Sequence, residues 1–181
     1  MTRRSVREFT AQDVPQEIIC QILEAGRWAP SGLNNQPWRF VVVRDRKYIE
    51  QLSGLTKYAK TVSNANLLII VLLDNSVVYD RTKDLQAIGA CIQNMLLAIH
   101  ELGLGACWIG EILNQKERVL DLLELSNTET QIKNQTPNQP CDCKLIGTSL
   151  ELMAVLAIGY PVNKRRVSNR MRIEELVICW K

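Results

Sequence analysis

The sequence predicts one domain in which α-helices combine with β-strands. Its 181 residues fit one domain better than two, and a hydrophobic share of 46% is ordinary for a chain that buries a sizeable core. Two kinds of apolar pattern alternate along the chain. Segments with apolar residues at helical spacing are separated by short apolar runs, of which 67–73 is typical of a central strand.

The first half of the chain opens with a predicted amphipathic helix. Asp13 is its predicted N-cap, with Gln16 as the capping-box partner, and Pro30 ends it. Its buried face is formed by Ile18, Ile19, Ile22 and Leu23. The predicted elements that follow are a loop at 30–37, a strand at 40–43, a short helix at 48–55 and the strand at 67–73.

The most informative predicted helix lies at 87–102. Apolar residues cover most of its circumference, so we expect it to be buried nearly all round. In a domain of this size, such burial indicates that a partner subunit covers one side. Gly103 is the predicted C-cap. The remaining predicted elements are a strand at 106–109, a helix at 116–125 and a strand at 153–158.

A polar insert at 126–144 is rich in Asn, Gln and Thr. We interpret it as a loop or mobile lid within a single domain 1–181, because too little chain follows it for a second core. Cys141 and Cys143 in this insert are interpreted as inert thiols, with a redox pair or a metal site as the less favoured alternatives. A structural zinc or iron–sulfur site normally needs four ligands, and no second cysteine pair is present.

The charge balance and the apolar runs argue against several classes of function. A net charge of +3 is too mild to indicate nucleic-acid binding. The longest apolar run is too short to cross a bilayer, and no apolar stretch follows the basic N-terminus as in a signal peptide. We therefore expect a cytoplasmic protein without membrane contact. The single histidine, His100, argues against a Ser-His-Asp or Cys-His hydrolase.

Basic residues concentrate in two clusters that could converge on one anion. The first is Arg3-Arg4-Ser5-Val6-Arg7, whose guanidinium forks and hydroxyl suit a phosphate. The alternative for this run is a frayed basic tail. The second cluster consists of Lys164, Arg165, Arg166, Arg170 and Arg172.

The loop between Trp28 and Trp38 offers a lining for a flat ligand. It is stiffened by Pro30 and Pro37 and is rich in amide and hydroxyl groups. A flavin ring needs apolar contacts together with donors and acceptors along its pyrimidine edge. The alternative is an ordinary polar connection. The glycines of 103–110 do not match the dinucleotide fingerprint, because their spacing differs and a helix rather than a strand precedes them.

Four segments resemble the nitroreductase family in sequence and in order. They are Arg-Arg-Ser-Val-Arg-Glu-Phe at the N-terminus, Ala-Pro-Ser-Gly-Leu-Asn-Asn-Gln-Pro-Trp, Ile-Gln-Asn-Met-Leu-Leu-Ala-Ile-His-Glu-Leu-Gly-Leu-Gly-Ala-Cys-Trp-Ile-Gly, and Ile-Gly-Tyr-Pro before the basic tail. Together they span nearly the whole chain. The resemblance implies an α+β fold with a mixed central sheet flanked by helices. It also implies an intertwined homodimer with two flavin mononucleotide (FMN) sites at its interface.

The resemblance further implies which residues contact FMN. The N-terminal run is expected to reach the phosphate, the ribityl chain and the pyrimidine edge through Arg3, Arg4, Ser5 and Arg7. The residues expected to reach FMN from the other subunit are Pro30, Ser31, Gly32, Asn34 and Gln36. Ile109 and Gly110 are expected to face the ring near N5. Arg170 is expected on the phosphate, with Arg172 as the competing alignment.

The activity implied by the resemblance is transfer of hydride or electrons from NAD(P)H through FMN to a small acceptor, such as a nitroaromatic or a quinone, in a ping-pong scheme. No side chain needs to act as acid or base, so no catalytic residue and no metal ligand is assigned. Arg7 is the candidate for stabilising the anionic reduced ring. The insert at 126–144 departs from the family pattern and leaves the acceptor open. The alternatives are a relative with dehalogenase or desaturase chemistry, and an FMN-binding carrier or sensor without turnover.

Overall fold

A computed structural model of the chain describes residues 3–126, 149–162 and 169–180. Within these ranges the chain forms helices and strands in the order α1 Gln16–Arg27, β1 Trp38–Val43, α2 Arg46–Ser53, α3 Ala59–Ser63, β2 Leu67–Asp74, α4 Arg81–Glu101, β3 Gly105–Ile109, α5 Lys116–Leu122, β4 Leu150–Gly159 and α6 Ile173–Leu176. Every strand and helix predicted from the sequence overlaps one of them. Cys141, Cys143 and all but the first residue of the 126–144 insert lie outside the described residues.

The four strands form one sheet in the order β1-β2-β4-β3, and each neighbouring pair is antiparallel. The expected mixed sheet is therefore wrong for these strands. Among the described residues, parallel pairing occurs at an isolated bridge between Ser5 and Ala106. The reason is that the N-terminal segment joins the sheet edge through a single bridge and does not form a full strand.

Strand β2 is buried at every position because helices cover both faces of the sheet. Successive side chains of a strand point to opposite faces. Every second residue from Leu67 to Leu73 therefore packs with α1 and α4. The residues between them, such as Leu68 and Ile70, pack with α2, α3 and α5. The prediction of a central strand at 67–73 is confirmed.

Helix α1 begins later than the sequence predicted. Pro15 precedes its first turn, and the Pro15 carbonyl accepts from the N–H groups of Ile18 and Ile19. The predicted N-cap at Asp13 is wrong, because Pro15, whose fixed φ suits a helix start, takes the capping position. Further along, Gly26 lets α1 approach α4 closely: a Cβ there would lie 2.8 Å from Cγ of Met95.

Helix α4 begins at Arg81, earlier than predicted, because Asp80 caps it by accepting from the N–H of Lys83 at 3.0 Å. One face of α4 packs in the core, but Leu85 and Leu97 lie outside it and are 38% and 48% exposed. The predicted burial nearly all round included cover by a partner subunit, so it stays a prediction. At the other end, Leu102 takes the C-cap position, and Gly103 follows with a left-handed φ of 79°.

The helices in the described part of the chain are too short or too polar for any of them to cross a membrane.

Candidate functional site

The N-terminal basic run lies along the edge strand β3. The N–H of Val6 donates to the carbonyl of Ala106 at 2.9 Å, and Ser5 forms a bridge with the same residue. Gly105 makes this approach possible, because a Cβ there would lie 2.6 Å from Cβ of Val6. Further along, Phe9 is buried. The run is part of the fold, so the alternative of a frayed tail is wrong for residues 3–9.

Arg4 has an unused hydrogen-bonding group. Its side chain is half-buried, and its Nη1 donates to the carbonyl of Arg3 at 2.7 Å. Its buried Nε has no partner among the described residues. An unsatisfied buried N–H costs about 1–3 kcal/mol, so this position suits an oxygen acceptor from outside the chain. Beside it, Arg3 and Ser5 are half-buried and Arg7 is exposed.

Strand β3 ends at Ile109, and Gly110 follows it. These are the two residues that were expected to face the flavin ring. Ile109 is buried in the sheet, whereas Gly110 is exposed and a Cβ on it would meet nothing within 4 Å. The turn that follows is fixed by Glu111, whose carboxylate accepts from the N–H of Lys57 at 2.9 Å and from the hydroxyl of Thr56 at 2.8 Å. Both bonds lower the pKa of the Glu111 carboxyl, and the bond from Lys57 makes the larger contribution. Open space therefore adjoins a firmly held backbone at Gly110.

The loop at 30–36 has a strained backbone. Leu33, Asn34 and Gln36 have φ values of 53°, 54° and 46°. This left-handed conformation costs an L-residue about 1–2 kcal/mol, with asparagine among the most tolerant. Oγ of Ser31 accepts from the N–H of Gln36 at 3.0 Å and closes the loop on itself. Such strain persists only where the surroundings fix the backbone.

The outer side of this loop is open and its inner side is covered. Pro30 and Asn34 are exposed, whereas Gly32 is half-buried beneath Tyr79. A Cβ on Gly32 would lie 1.9 Å from the Tyr79 hydroxyl oxygen. The Tyr79 ring in turn lies 5.2 Å from Nζ of Lys83, within cation–π range. The loop therefore offers backbone and amide groups outward from a covered base.

The structure does not bring the loop and the N-terminal run together within one chain. The loop precedes β1 at one edge of the sheet, and the run lies on β3 at the opposite edge. Three inter-strand spacings separate these edges, about 14 Å across the sheet. The predicted contacts thus form two groups, one at each edge.

The C-terminal arginines form a third group. Nη1 of Arg170 donates to the carbonyl of Asn169 at 2.9 Å, and the N–H of Arg172 donates to the Glu175 carboxylate at 3.0 Å. Both arginines are exposed. Their assignment to a phosphate stays a prediction. The same segment exposes Met171, Ile173, Leu176, Ile178 and Trp180, each by more than half of its surface.

Asp74 and Asp84, two buried carboxylates behind the loop, were not predicted from the sequence. They are 1% and 0% exposed. Asp74 pairs with the guanidinium of Arg39 at 2.6 Å, and Asp84 accepts from Nδ2 of Asn35 at 2.7 Å. The sequence signal at Asp84 is an acidic residue in a first helical turn, which is common on exposed helices too. It therefore gave no indication of burial.

Comparison with known proteins places this architecture in one family. The family model for the nitroreductase family matches residues 1–65 and 47–133. A protein of Archaeoglobus fulgidus, assigned as an NADH dehydrogenase/NAD(P)H nitroreductase, is 31% identical over 165 residues, covering 91% of this chain and 84% of that protein. A protein of Methanothermobacter thermautotrophicus with the same assignment is 40% identical over 109 residues, 60% of this chain and 57% of that protein.

Solved structures and a more distant relative extend the comparison. A Desulfovibrio desulfuricans protein, assigned to the nitroreductases and solved in complex with FMN, is 40% identical with a TM-score of 0.84, covering 99% of this chain and 93% of that one. The iodotyrosine deiodinase of Thermotoga neapolitana is 28% identical over 129 residues, 58% of this chain and 67% of that protein. The fold, the order of the motifs and these matches agree, and the chain belongs to the nitroreductase family.

Proposed function

We propose that the chain is an FMN-dependent oxidoreductase that takes hydride from NAD(P)H and passes electrons to a small acceptor such as a nitroaromatic or a quinone. The observation that carries this proposal is the buried Nε of Arg4, which has no partner among the described residues. Arg4 precedes the residue that bridges to β3, the strand that ends at Ile109. The Desulfovibrio desulfuricans relative, solved with FMN, supports the identity of the ligand.

The residues on β3 and beside it fit such a ligand. Guanidinium groups of Arg3, Arg4 and Arg7 supply positive charge and paired N–H donors, which suit phosphate and carbonyl oxygens. The open space at Gly110 lets a flat ring approach the backbone. When bound, FMN supplies the two-electron redox chemistry that the side chains of the chain lack.

The roles left to the protein are binding, orientation and electrostatics. Arg4 holds an oxygen of the cofactor through Nε, and exposed Arg7 provides positive charge beside the pyrimidine edge. The nicotinamide and the acceptor occupy the same open space in turn, which makes the kinetics ping-pong. Parallel double-reciprocal plots at several acceptor concentrations test this order, and intersecting lines would refute it.

The functional unit in this proposal is a homodimer. The loop at 30–36 and the N-terminal run lie at opposite sheet edges of one chain, so a second copy is needed to place both on one cofactor. Exposed Leu85 and Leu97 of α4 and the apolar C-terminal segment 169–180 offer surface for that copy. Sedimentation of the purified protein should give twice the chain mass; a monomer that binds FMN fully would overturn the dimeric site.

The first experiment is a visible spectrum of the purified protein, followed by anaerobic addition of NADH or NADPH. Flavin bands that bleach on addition support the proposal. Bands that stay unbleached favour a carrier or sensor. A protein without flavin bands, even after incubation with FMN, refutes the central claim.

Arg4→Ala tests the carrying observation directly. Loss of one charge-assisted bond of about 1.5–3 kcal/mol corresponds to roughly 10- to 150-fold weaker FMN binding. Arg118→Ala is the matched control, because Arg118 is an exposed arginine of α5 whose Nη1 bonds only weakly to Gln115, at 3.4 Å. Equal FMN affinity in the two variants would remove Arg4 from the site.

A second candidate function is reductive removal of a halogen, which the similarity to the Thermotoga neapolitana iodotyrosine deiodinase favours. Halide release from a halogenated phenol by the reduced protein, without turnover of quinones or nitroaromatics, would select this alternative. Turnover of quinones without halide release would exclude it.

A further inference from the structure

Asp84 is a fully buried carboxylate, and both of its oxygens accept hydrogen bonds. Oδ1 accepts from Nδ2 of Asn35 at 2.7 Å, and Oδ2 accepts from the N–H groups of Tyr79 and Asp80 at 3.1 and 3.2 Å. A buried charge is tolerated only where such donors compensate it, and the start of helix α4 adds a favourable dipole. Two of the three donors are local backbone groups. The third, from Asn35, reaches the carboxylate from a distant loop.

Asn35 occupies the centre of the strained loop. Its neighbours Asn34 and Gln36 have positive φ, whereas Asn35 itself has a right-handed φ of −72°. Besides the bond to Asp84, its Nδ2 donates to the carbonyl of Val77 at 3.0 Å. Both bonds tie the loop to the segment that leads into α4. Within the loop, the N–H of Asn35 also donates to the carbonyl of Gly32 at 3.1 Å.

The far end of the loop is held separately. The Arg39 guanidinium pairs with Asp74 and also donates to the carbonyls of Gln36 and Trp38 at 3.0 and 2.8 Å. Asp74 in turn donates its N–H to the Pro37 carbonyl at 2.8 Å. With this end fixed, the side-chain bonds of Asn35 to Asp84 and Val77 join the centre of the loop to distant residues.

We propose that Asp84 is a positioning residue for the cofactor site: acting through Asn35, it fixes the shape of loop 31–36 before the cofactor binds. The inference rests on the proposed function, in which this loop contacts FMN. A loop already in its binding shape loses less conformational freedom when it binds. The strain at Leu33, Asn34 and Gln36 is then the feature that Asp84 maintains.

Asp84→Asn tests the proposal, because the amide places a donor where Asn35 also donates. We expect FMN binding to weaken by about 10- to 100-fold, by analogy with groups that orient metal ligands. Amide hydrogen exchange of residues 31–36 should accelerate in the cofactor-free variant. Asn35→Ala removes the same bond from the loop side and serves if the first variant folds poorly.

Two further variants separate positioning from general stability. Asp80→Ala is the matched control: it removes the cap bond to Lys83 at the same helix start without touching the loop. It should lower the melting temperature and leave FMN affinity within about twofold of wild type. The swapped pair Asn35→Asp with Asp84→Asn restores a donor–acceptor pair, and we expect it to recover part of the affinity that Asp84→Asn loses.

The outcomes are distinct. Weaker FMN binding and faster exchange at 31–36 in Asp84→Asn and Asn35→Ala, with neither in Asp80→Ala, support the proposal. Unchanged affinity in Asp84→Asn, or an equal loss in Asp80→Ala, would overturn it. If wild-type protein binds no FMN, the proposed function fails, while the exchange rates at 31–36 still decide whether Asp84 holds the loop.

Discussion

Gly105→Ala tests whether the docking of the N-terminal run on β3 matters for the cofactor. The added methyl would lie 2.6 Å from Cβ and Cγ2 of Val6 and 2.8 Å from its Cγ1. Ordinary carbon contacts begin near 3.5 Å, so about 1 Å of movement is required. A rotamer change cannot supply it, because Cβ of Val6 is fixed to the backbone. The segment around Val6 must therefore move away from the sheet.

This movement has a free-energy cost with two sources. Overpacking at a close contact costs about 1–3 kcal/mol, and the bond between the Val6 N–H and the Ala106 carbonyl is itself worth about 1 kcal/mol. For a chain of this size, 1 kcal/mol lowers the melting temperature by roughly 2–4 °C. The summed cost is about 2–4 kcal/mol, so we expect Gly105→Ala to melt roughly 4–16 °C below wild type. The same displacement moves Arg4, so FMN affinity should fall as well.

The assay is a thermal melt of the cofactor-free protein together with a titration by flavin fluorescence. Gly54→Ala is the matched control, because Gly54 has a φ of −69° and a Cβ there would come no closer than 3.4 Å to the Gln51 carbonyl. It should leave both readings near wild type. If Gly105→Ala melted like Gly54→Ala, the close contact would be wrong; if it melted lower but bound FMN normally, the N-terminal run would lie outside the site.

Three other regions of the molecule can be tested by similar measurements. The bond from Arg81, and to a smaller extent that from Lys116, lowers the pKa of Glu151 below 4.5. The stability that these bonds contribute is therefore present above pH 4.5 and is lost as the pH falls through the lowered pKa. The difference in melting temperature between wild type and Glu151→Gln should persist near pH 7 and close in acid. Leu152→Ala removes a side chain with 0% exposure and should cost about 2–5 kcal/mol in urea unfolding, whereas a loss below about 0.5 kcal/mol would contradict the buried position. Deleting residues 169–181 should shift sedimentation toward the monomer, and an unchanged dimer would show that this segment contributes little to the interface.

The sequence predicted the elements of the fold well because their patterns are local. An unbroken apolar run at 67–73 predicts a strand that is buried on both faces, and β2 is buried throughout. Boundaries were less accurate where two local signals compete. Asp13 and Pro15 both mark a helix start, and only the structure shows that the chain uses the second.

The site was harder to predict because its parts meet through long-range pairing. No local pattern shows that Ser5 bridges Ala106, or that Asn35 bonds to Asp84. The residues of the N-terminal run and the loop were found through a resemblance to a family, which carries such pairings implicitly. Asp84 lies outside the segments that resemble the family, and no local pattern marks it as buried. Its role was therefore not predicted.

Departures from ordinary local rules concentrate where the proposed cofactor site lies. Leu33 and Gln36 hold left-handed φ values, and Asp84 is a charge with no exposure. Arg4 and Asn35 each bury a polar atom that has no partner in the described part of the chain. Each feature costs free energy. Outside the two groups, the described residues show fewer such features: Asn66, directly before β2, buries Oδ1 without a described partner, and Glu124 has a φ of 58°. Chains often keep such costs where function requires them. The costs fall on both groups of predicted contacts, at opposite edges of the sheet. This distribution is expected if two copies of the chain each contribute one group to a shared cofactor, and it is not expected if the loop were an ordinary connection between α1 and β1.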